Sequence, residues 1–272
     1  MKKQEIQFKW FGVAGLEFRF GNQNLLIDPF LTRPPLKNLL FGRVSPNKEL
    51  ITRTIHRAEY ILVTHSHYDH LLDVPDIARQ SGAQLFGSAN TCRLAQICGI
   101  PESQMTRIGN GDVLSLGNVT VKVIPAVHPF LPFYQPGKLK AGLKPPLRLR
   151  DYRMDSCYSF LIDTGRLRIL VWSSISTQRA VAADVLFLRA VARPGWYAEI
   201  LEKVHPQTVI PTHWDDIFQP LNRPVRSFFN PPKFEIPPLQ RIDLRHFEQT
   251  LHQIDPNCRV ILPQVFETYD LP

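Results

Sequence analysis

The sequence predicts an α/β fold, a four-layer α/β/β/α sandwich of two mixed sheets face to face, in a single domain over residues 1–272. Three observations predict it. Short apolar runs with strand periodicity alternate with amphipathic, helix-length segments. That alternation occurs once in each half of the chain, with no linker between the halves. Several of the strands close on a polar residue, and the carboxyl ends of strands are where open α/β sheets bind ligands.

The elements follow in order. Ile6, Phe8 and Trp10 alternate with Gln7 and Lys9, and Leu16, Phe18 and Phe20 with Glu17 and Arg19. These are two half-buried antiparallel strands about a Gly12–Gly15 turn. A third strand over 24–28 closes on Asp28. Residues 31–50 show no periodicity and are expected as a long loop, with a short helix over 51–58. Tyr60 to Val63 is a buried strand. Helices are expected over 73–80, stopping at Gly82, and over 90–98, with Gly99 at the cap. A short strand over 84–87 lies between them. Strands over 112–116 and 119–126 turn about Gly117 and lead to His128. A Pro-rich basic insertion occupies about 129–153, including Lys138, Lys140, Lys144, Arg148, Arg150 and Arg153. It is expected as a lid or substrate loop. The second half holds strands over 157–163 and 168–172, then 183–190. A helix over 196–204, a strand over 208–213, an amphipathic helix over 239–253 and a last strand over 258–262 complete it.

The chemistry concentrates in one stretch. Immediately after the strand at Tyr60–Val63 come His65, His67, Asp69 and His70, three of the nine histidines of the chain beside a carboxylate. Imidazole and carboxylate donors packed this closely suit a borderline divalent ion such as zinc. His128 and His213 each end a strand and are the natural distant partners.

The segment His65-Ser66-His67-Tyr68-Asp69-His70 resembles the His-x-His-x-Asp-His signature of the metallo-β-lactamase superfamily. The opening meander closed by Asp28 is similar to the start of that superfamily. Ile210-Pro-Thr-His213-Trp-Asp-Asp is similar to the last histidine motif of the branch that includes ascorbate-6-phosphate lactonase. The resemblance spans nearly the whole chain. It implies one metal on His65, His67 and His128 and a second on Asp69, His70 and His213, with Asp28 in support. It also implies zinc, one or two per chain, with manganese as the alternative. Asp69 is then the catalytic carboxylate that orients the water. A Gly-Asp usually follows the strand at 168–172, and its Asp bridges both metals; here Ser173-Ser174 stands in that place. Either one site is filled, or the second is weaker, or Asp155 or Asp163 reaches in. Two sites with a weaker second are expected, because Asp69, His70 and His213 are all present.

A divalent ion lowers the pKa of its water to around 7 and polarises a carbonyl or phosphoryl oxygen. The expected function is therefore hydrolysis of an ester, lactone or related bond in a small anionic substrate, with Arg148, Arg150 and Arg153 as candidate anion contacts. Two alternatives stand beside it. One is a phosphodiesterase of nuclease or phospholipase type, motivated by the net charge of +8. The other is a non-catalytic metal-binding or ligand-sensing protein, motivated by Ser174. Nucleic acid ranks behind a small molecule as partner because charge alone points to it. No apolar run reaches membrane-spanning length, no signal peptide is legible, and Cys92, Cys98, Cys157 and Cys258 form no Cys-x-x-Cys pair. A cytoplasmic protein with reduced thiols is expected. Substrate identity and oligomeric state are not readable from the sequence.

Overall fold

The structure is a computed structural model that describes residues 5–129, 135–190, 193–229 and 241–272. In the first half the strands are β1 (Ile6–Gly12), β2 (Gly15–Phe20), β3 (Gln23–Ile27), β4 (Tyr60–Leu62), β5 (Gln84–Gly87) and β6 (Met105–Arg107). The second half adds β7 (Val113–Leu116), β8 (Val119–Pro125), β9 (Tyr158–Asp163), β10 (Arg168–Trp172), β11 (Val185–Arg189), β12 (Thr208–Thr212) and β13 (Arg259–Val260). β14 (Thr268–Asp270) returns to the first sheet. Helices α1 (Leu36–Phe41), α2 (Lys48–Thr54), α3 (Tyr68–Leu71), α4 (Val74–Ser81) and α5 (Ala89–Ile97) belong to the first half, and α6 (Pro194–Val204) and α7 (Leu244–Ile254) to the second.

Among the described residues two sheets form, ordered β14-β1-β2-β3-β4-β5-β6 and β13-β12-β11-β10-β9-β8-β7. Each is mixed in the same way. β1, β2 and β3 are antiparallel, then β3 to β6 parallel; β7 to β10 are antiparallel, then β10 to β13 parallel. The sheets meet through their apolar faces. Phe187 of β11 packs edge-on against Phe8 and Phe18, at 5.1 and 5.3 Å between ring centroids. The outer face of the first sheet, with Leu26, Ile61 and Leu85, packs with Ile51, Ile77 and Leu94 of α2, α4 and α5. Ile200, Leu201, Phe247 and Leu251 of α6 and α7 join the core of the second. This is the α/β/β/α sandwich the sequence predicts.

Several local expectations are corrected. Residues 31–50 are not all loop: α1 forms there, but it buries only Leu39 while Leu36, Leu40 and Phe41 are exposed, so no apolar period marks it. The helix expected over 51–58 lies earlier, because the Asn47 side chain accepts Leu50 N–H and starts it there. α7 begins at Leu244 because Asp243 caps it through Arg245 N–H and His246 N–H; residues 239 and 240 lie outside the described ones. β6, β14 and the single-turn α3 were not legible, being short and lacking alternation. Residues 130–134 of the insertion also lie outside the described residues, as does part of the loop over 218–234.

The topology fixes the site. β3 and β4 are parallel, so Asp28 and His65 leave the first sheet at the same edge. β8, β10, β11 and β12 run in one direction in the second sheet, so His128, Ser174, Arg189 and His213 leave it together.

Candidate metal centre

Asp28 organises the first donors. It is fully buried (0% exposed) and holds a left-handed φ of 45°. Its Oδ1 accepts Thr64 N–H at 2.7 Å, and its Oδ2 accepts the Thr64 hydroxyl at 2.5 Å. The same Oδ2 lies 2.8 Å from His70 Nδ1, so this nitrogen carries the proton and donates it. Having given its proton to Asp28, Thr64 Oγ accepts from His65 Nδ1 at 3.0 Å. The network leaves Nε2 of both rings as the ligand position. His65 Nε2 is buried without a hydrogen-bond partner, a polar atom whose burial needs a Lewis acid or a donor to offset it.

His128 follows β8, and its Nδ1 donates to Pro129 O at 2.7 Å, which again leaves Nε2. His213 follows β12 with φ 56°, an uncommon conformation for a non-glycine residue. Its N–H bonds Val13 O at 2.9 Å, and Val13 N–H bonds Asp215 Oδ1 at 2.7 Å. Asp215 Oδ2 pairs in turn with Arg33 Nη2 at 2.9 Å, both side chains being almost wholly buried. A Cβ at Gly12 would collide with that guanidinium, so the β1–β2 turn requires glycine.

Two groups of donors result: His65, His67 and His128, and Asp69, His70 and His213. Within each, the candidate ligand atoms all lie within 4.8 Å of one another. The groups adjoin, with the His65 and His70 ring centroids 3.8 Å apart. The floor at His65, His67, Asp69 and His70 is buried, whereas His128 is half-buried and His213 exposed, so the centre opens on the side of the second sheet.

Electrostatics favour the neutral imidazole at His65, His67, His128 and His213. Burial first, and then His70 and His128, hold His65 well below the ordinary histidine range. Burial, His128 and His70 push His67 down to about 2. Burial and His70 push His128 to about 4. Desolvation, His70 and Arg189 depress His213. Burial also works against the charged form of His70, but Asp28 and Asp69 outweigh it and raise its pKa. Neutral nitrogen donors with one carboxylate are the form that zinc or manganese binds, so the residues fit such an ion.

The remaining expected positions resolve differently. Ser174 Oγ accepts Val127 N–H at 3.0 Å and Ser176 N–H at 3.1 Å. Its lone pairs are thus occupied by the loop that carries His128 and by its own loop. Asp155 does not reach in: it binds the Ser88 hydroxyl at 2.5 Å and Asn90 N–H at 3.1 Å at the start of α5. Asp163 accepts Gly165 N–H at 2.8 Å and belongs to the hairpin end. Arg148 and Arg150 are exposed about a short turn at Leu149–Asp151. Arg153 comes closer, because its carbonyl accepts the hydroxyl of Ser66, between two donors, at 2.6 Å. Thr64, Arg33, Asp215 and Arg189 are the contributors the sequence reading missed. Asp215 was signalled only by standing two residues after His213, and Arg189 only by being a charge at the end of a buried strand.

Known proteins agree with this architecture. The chain is 35% identical over 124 residues to a UPF0173 metal-dependent hydrolase of Pyrobaculum arsenaticum, covering 45% of this chain and 51% of the relative. The match thus spans about half of that relative's length. It is 26% identical over 223 residues to a UPF0173 metal-dependent hydrolase of Methanopyrus kandleri, covering 82% of this chain and 90% of the relative. Among solved structures it resembles Igni18, described as a novel metallo hydrolase, from Ignicoccus hospitalis, at TM-score 0.64 and 16% identity over 98% of this chain and 99% of the other. It also resembles the metallo-beta-lactamase fold protein YhfI of Bacillus subtilis at TM-score 0.59 and 13% identity, over 99% and 100%. Residues 23–214, from the strand that ends at Asp28 to the residue after His213, match the family described as Beta-lactamase superfamily domain, and the chain belongs to that family.

Proposed function

We propose that this protein is a metal-dependent hydrolase that cleaves an ester, lactone or related bond in a small anionic substrate. The observation that carries the reading is the convergence of two adjoining donor groups at one sandwich edge, each within 4.8 Å. His65, His67 and His128 would hold one ion and Asp69, His70 and His213 a second, zinc in the first instance and manganese as the alternative. The ion supplies an acidified water and a Lewis acid for the carbonyl or phosphoryl oxygen. The chain's own residues do the rest. Asp28 and Thr64 hold His70 and His65 in the ligating tautomer. Asp69 would join His70 and His213 as a ligand and orient the water, and Cys157, 3.9 Å from His65 Nδ1, stays a thiol because burial pushes its pKa up to about 12. The exposed His213 side admits the substrate. The metal-dependent hydrolases among its relatives support the reaction class.

The test is a panel of lactones, carboxylic esters and phosphodiesters with the zinc- and manganese-loaded protein and with His67→Ala. Turnover on an ester or lactone that His67→Ala abolishes while remaining folded is the expected result. Turnover confined to phosphodiesters would move the assignment to the nuclease or phospholipase class. Turnover retained in His67→Ala would overturn the reading.

A further inference from the structure

α1 turns apolar side chains to solvent. Leu36 and Leu40, one helical turn apart, are 52% and 48% exposed, and Phe41 is 83% exposed. Leu39 anchors the helix, buried in the cluster that also takes Val44 and Leu147. The basic insertion is fastened beside it. Val44 N–H bonds Leu147 O at 2.8 Å, and Arg43 Nη1 donates to Lys144 O at 3.2 Å and Pro146 O at 2.6 Å. Residues 36–46 carry Lys37 and Arg43, residues 135–150 carry five more Lys and Arg, and all seven are exposed. Neither segment contains Asp or Glu. Asp151, the next acid, is buried and taken by Arg148 N–H at 2.8 Å. The net charge of the whole chain is +8, so nearly all of it lies on this face.

An apolar wedge with a cationic margin free of acids matches the interface of an anionic bilayer. There apolar side chains enter among the acyl chains while ammonium and guanidinium groups meet lipid phosphates. Nucleic acid is held by phosphate contacts and, where single-stranded, by aromatic platforms, neither of which uses two exposed leucines. A second copy of this chain, docked through the same face, would set cation against cation. We infer that α1 and the insertion form a docking face for an anionic lipid bilayer, with Leu36, Leu40 and Phe41 inserted and the surrounding cations on the lipid phosphates. Among the described residues no helix is long and apolar enough to cross a membrane, so the contact is peripheral. The face borders the metal centre: α1 begins shortly after Arg33, whose guanidinium holds Asp215, and the insertion begins next to His128. Docking is independent of the hydrolase chemistry and is measured without turnover.

The test is flotation of the zinc-supplemented chain with vesicles of equimolar phosphatidylcholine and phosphatidylserine and with vesicles of phosphatidylcholine alone, beside a gel shift with duplex RNA. Wild type is expected to float with the anionic vesicles, little with the neutral ones, and to be released as salt rises. Leu40→Ser/Phe41→Ser is expected to lose roughly tenfold or more in partitioning, and Lys138→Gln/Lys140→Gln/Lys144→Gln a comparable factor. Phe41→Trp keeps an interfacial ring and is expected to bind as wild type does. Should the double serine variant fail to fold by circular dichroism, Phe41→Ser alone, at the most exposed of the three positions, carries the same test. Wild type that does not float with anionic vesicles overturns the inference. So does flotation that the serine variant retains in full, which would be adsorption by charge alone, and so does duplex RNA bound in place of vesicles.

Discussion

Asp28 Oδ2 stands 2.8 Å from His70 Nδ1, and the same carboxylate takes both the amide and the hydroxyl of Thr64, the residue that orients His65. One buried acid thus sets a histidine in each donor group. Asp28→Asn keeps the size and tolerates the left-handed φ of 45°, but its amide nitrogen would face a ring N–H. Metal affinity is expected to fall about 10–100-fold with the fold retained. Chelator competition measures this, and unchanged affinity would remove Asp28 from the account.

Ser174 acts on the centre through backbone. Ser174→Ala removes the acceptor of Val127 N–H, one residue before His128, and is expected to cost about 1–3 kcal/mol in urea unfolding. Ser174→Asp is expected to gain no metal, because the wild-type side chain faces Val127 and Ser176 N–H groups. A variant that binds an additional ion would mean that the position can still bridge.

The ion pair of Arg33 and Asp215 has side chains only 1% and 2% exposed, and Asp215 also holds Val13 and, through it, His213. Asp215→Ala leaves a buried guanidinium without its counter-ion and is expected to destabilise the fold by about 3–5 kcal/mol. Denaturant unfolding reads this; a loss below about 1 kcal/mol, the range of exposed pairs, would contradict it.

Asp73 lies under the loop that carries Arg33, accepting Leu31 and Thr32 N–H at 2.7 Å each. Burial, the largest influence, raises its pKa from 3.8 to about 6. A carboxyl whose folded pKa is raised gives stability that is complete below the unfolded pKa and is lost as pH rises through the folded one. Relative to Asp73→Asn, wild type is expected to lose up to roughly 3 kcal/mol between about pH 4 and pH 6. Parallel pH profiles of the two proteins would contradict this.

The sandwich and the candidate donors that converge at its edge were legible because both follow from local pattern. Tyr60–Leu62 is a buried strand, and His65, His67, Asp69 and His70 sit at its end. His128 and His213 were found in the same way, as strand-terminal donors. What was not legible depends on three-dimensional neighbours. Ser174 reads as a missing ligand, and only its bonds to Val127 and Ser176 show it to be a loop fastener. The Arg33–Asp215 pair joins residues far apart in sequence, and no periodicity announces it. α1 hid because its exposed Leu36, Leu40 and Phe41 break the rule that apolar residues mark the buried face. Arg148, Arg150 and Arg153 stand out in the sequence as a basic cluster, whereas Arg148 and Arg150 are exposed about a short turn and Arg189, one charge at the end of an apolar strand, pairs with Thr212 next to His213.

The central claim is that the two donor groups hold metal. Elemental analysis per chain, on protein purified without added metal or chelator and again after zinc and manganese supplementation, tests it most directly. Two ions per chain are expected after supplementation, the more loosely held one lost in His213→Ala and the tighter one lost in His67→Ala. No stoichiometric metal under any of these conditions would contradict it.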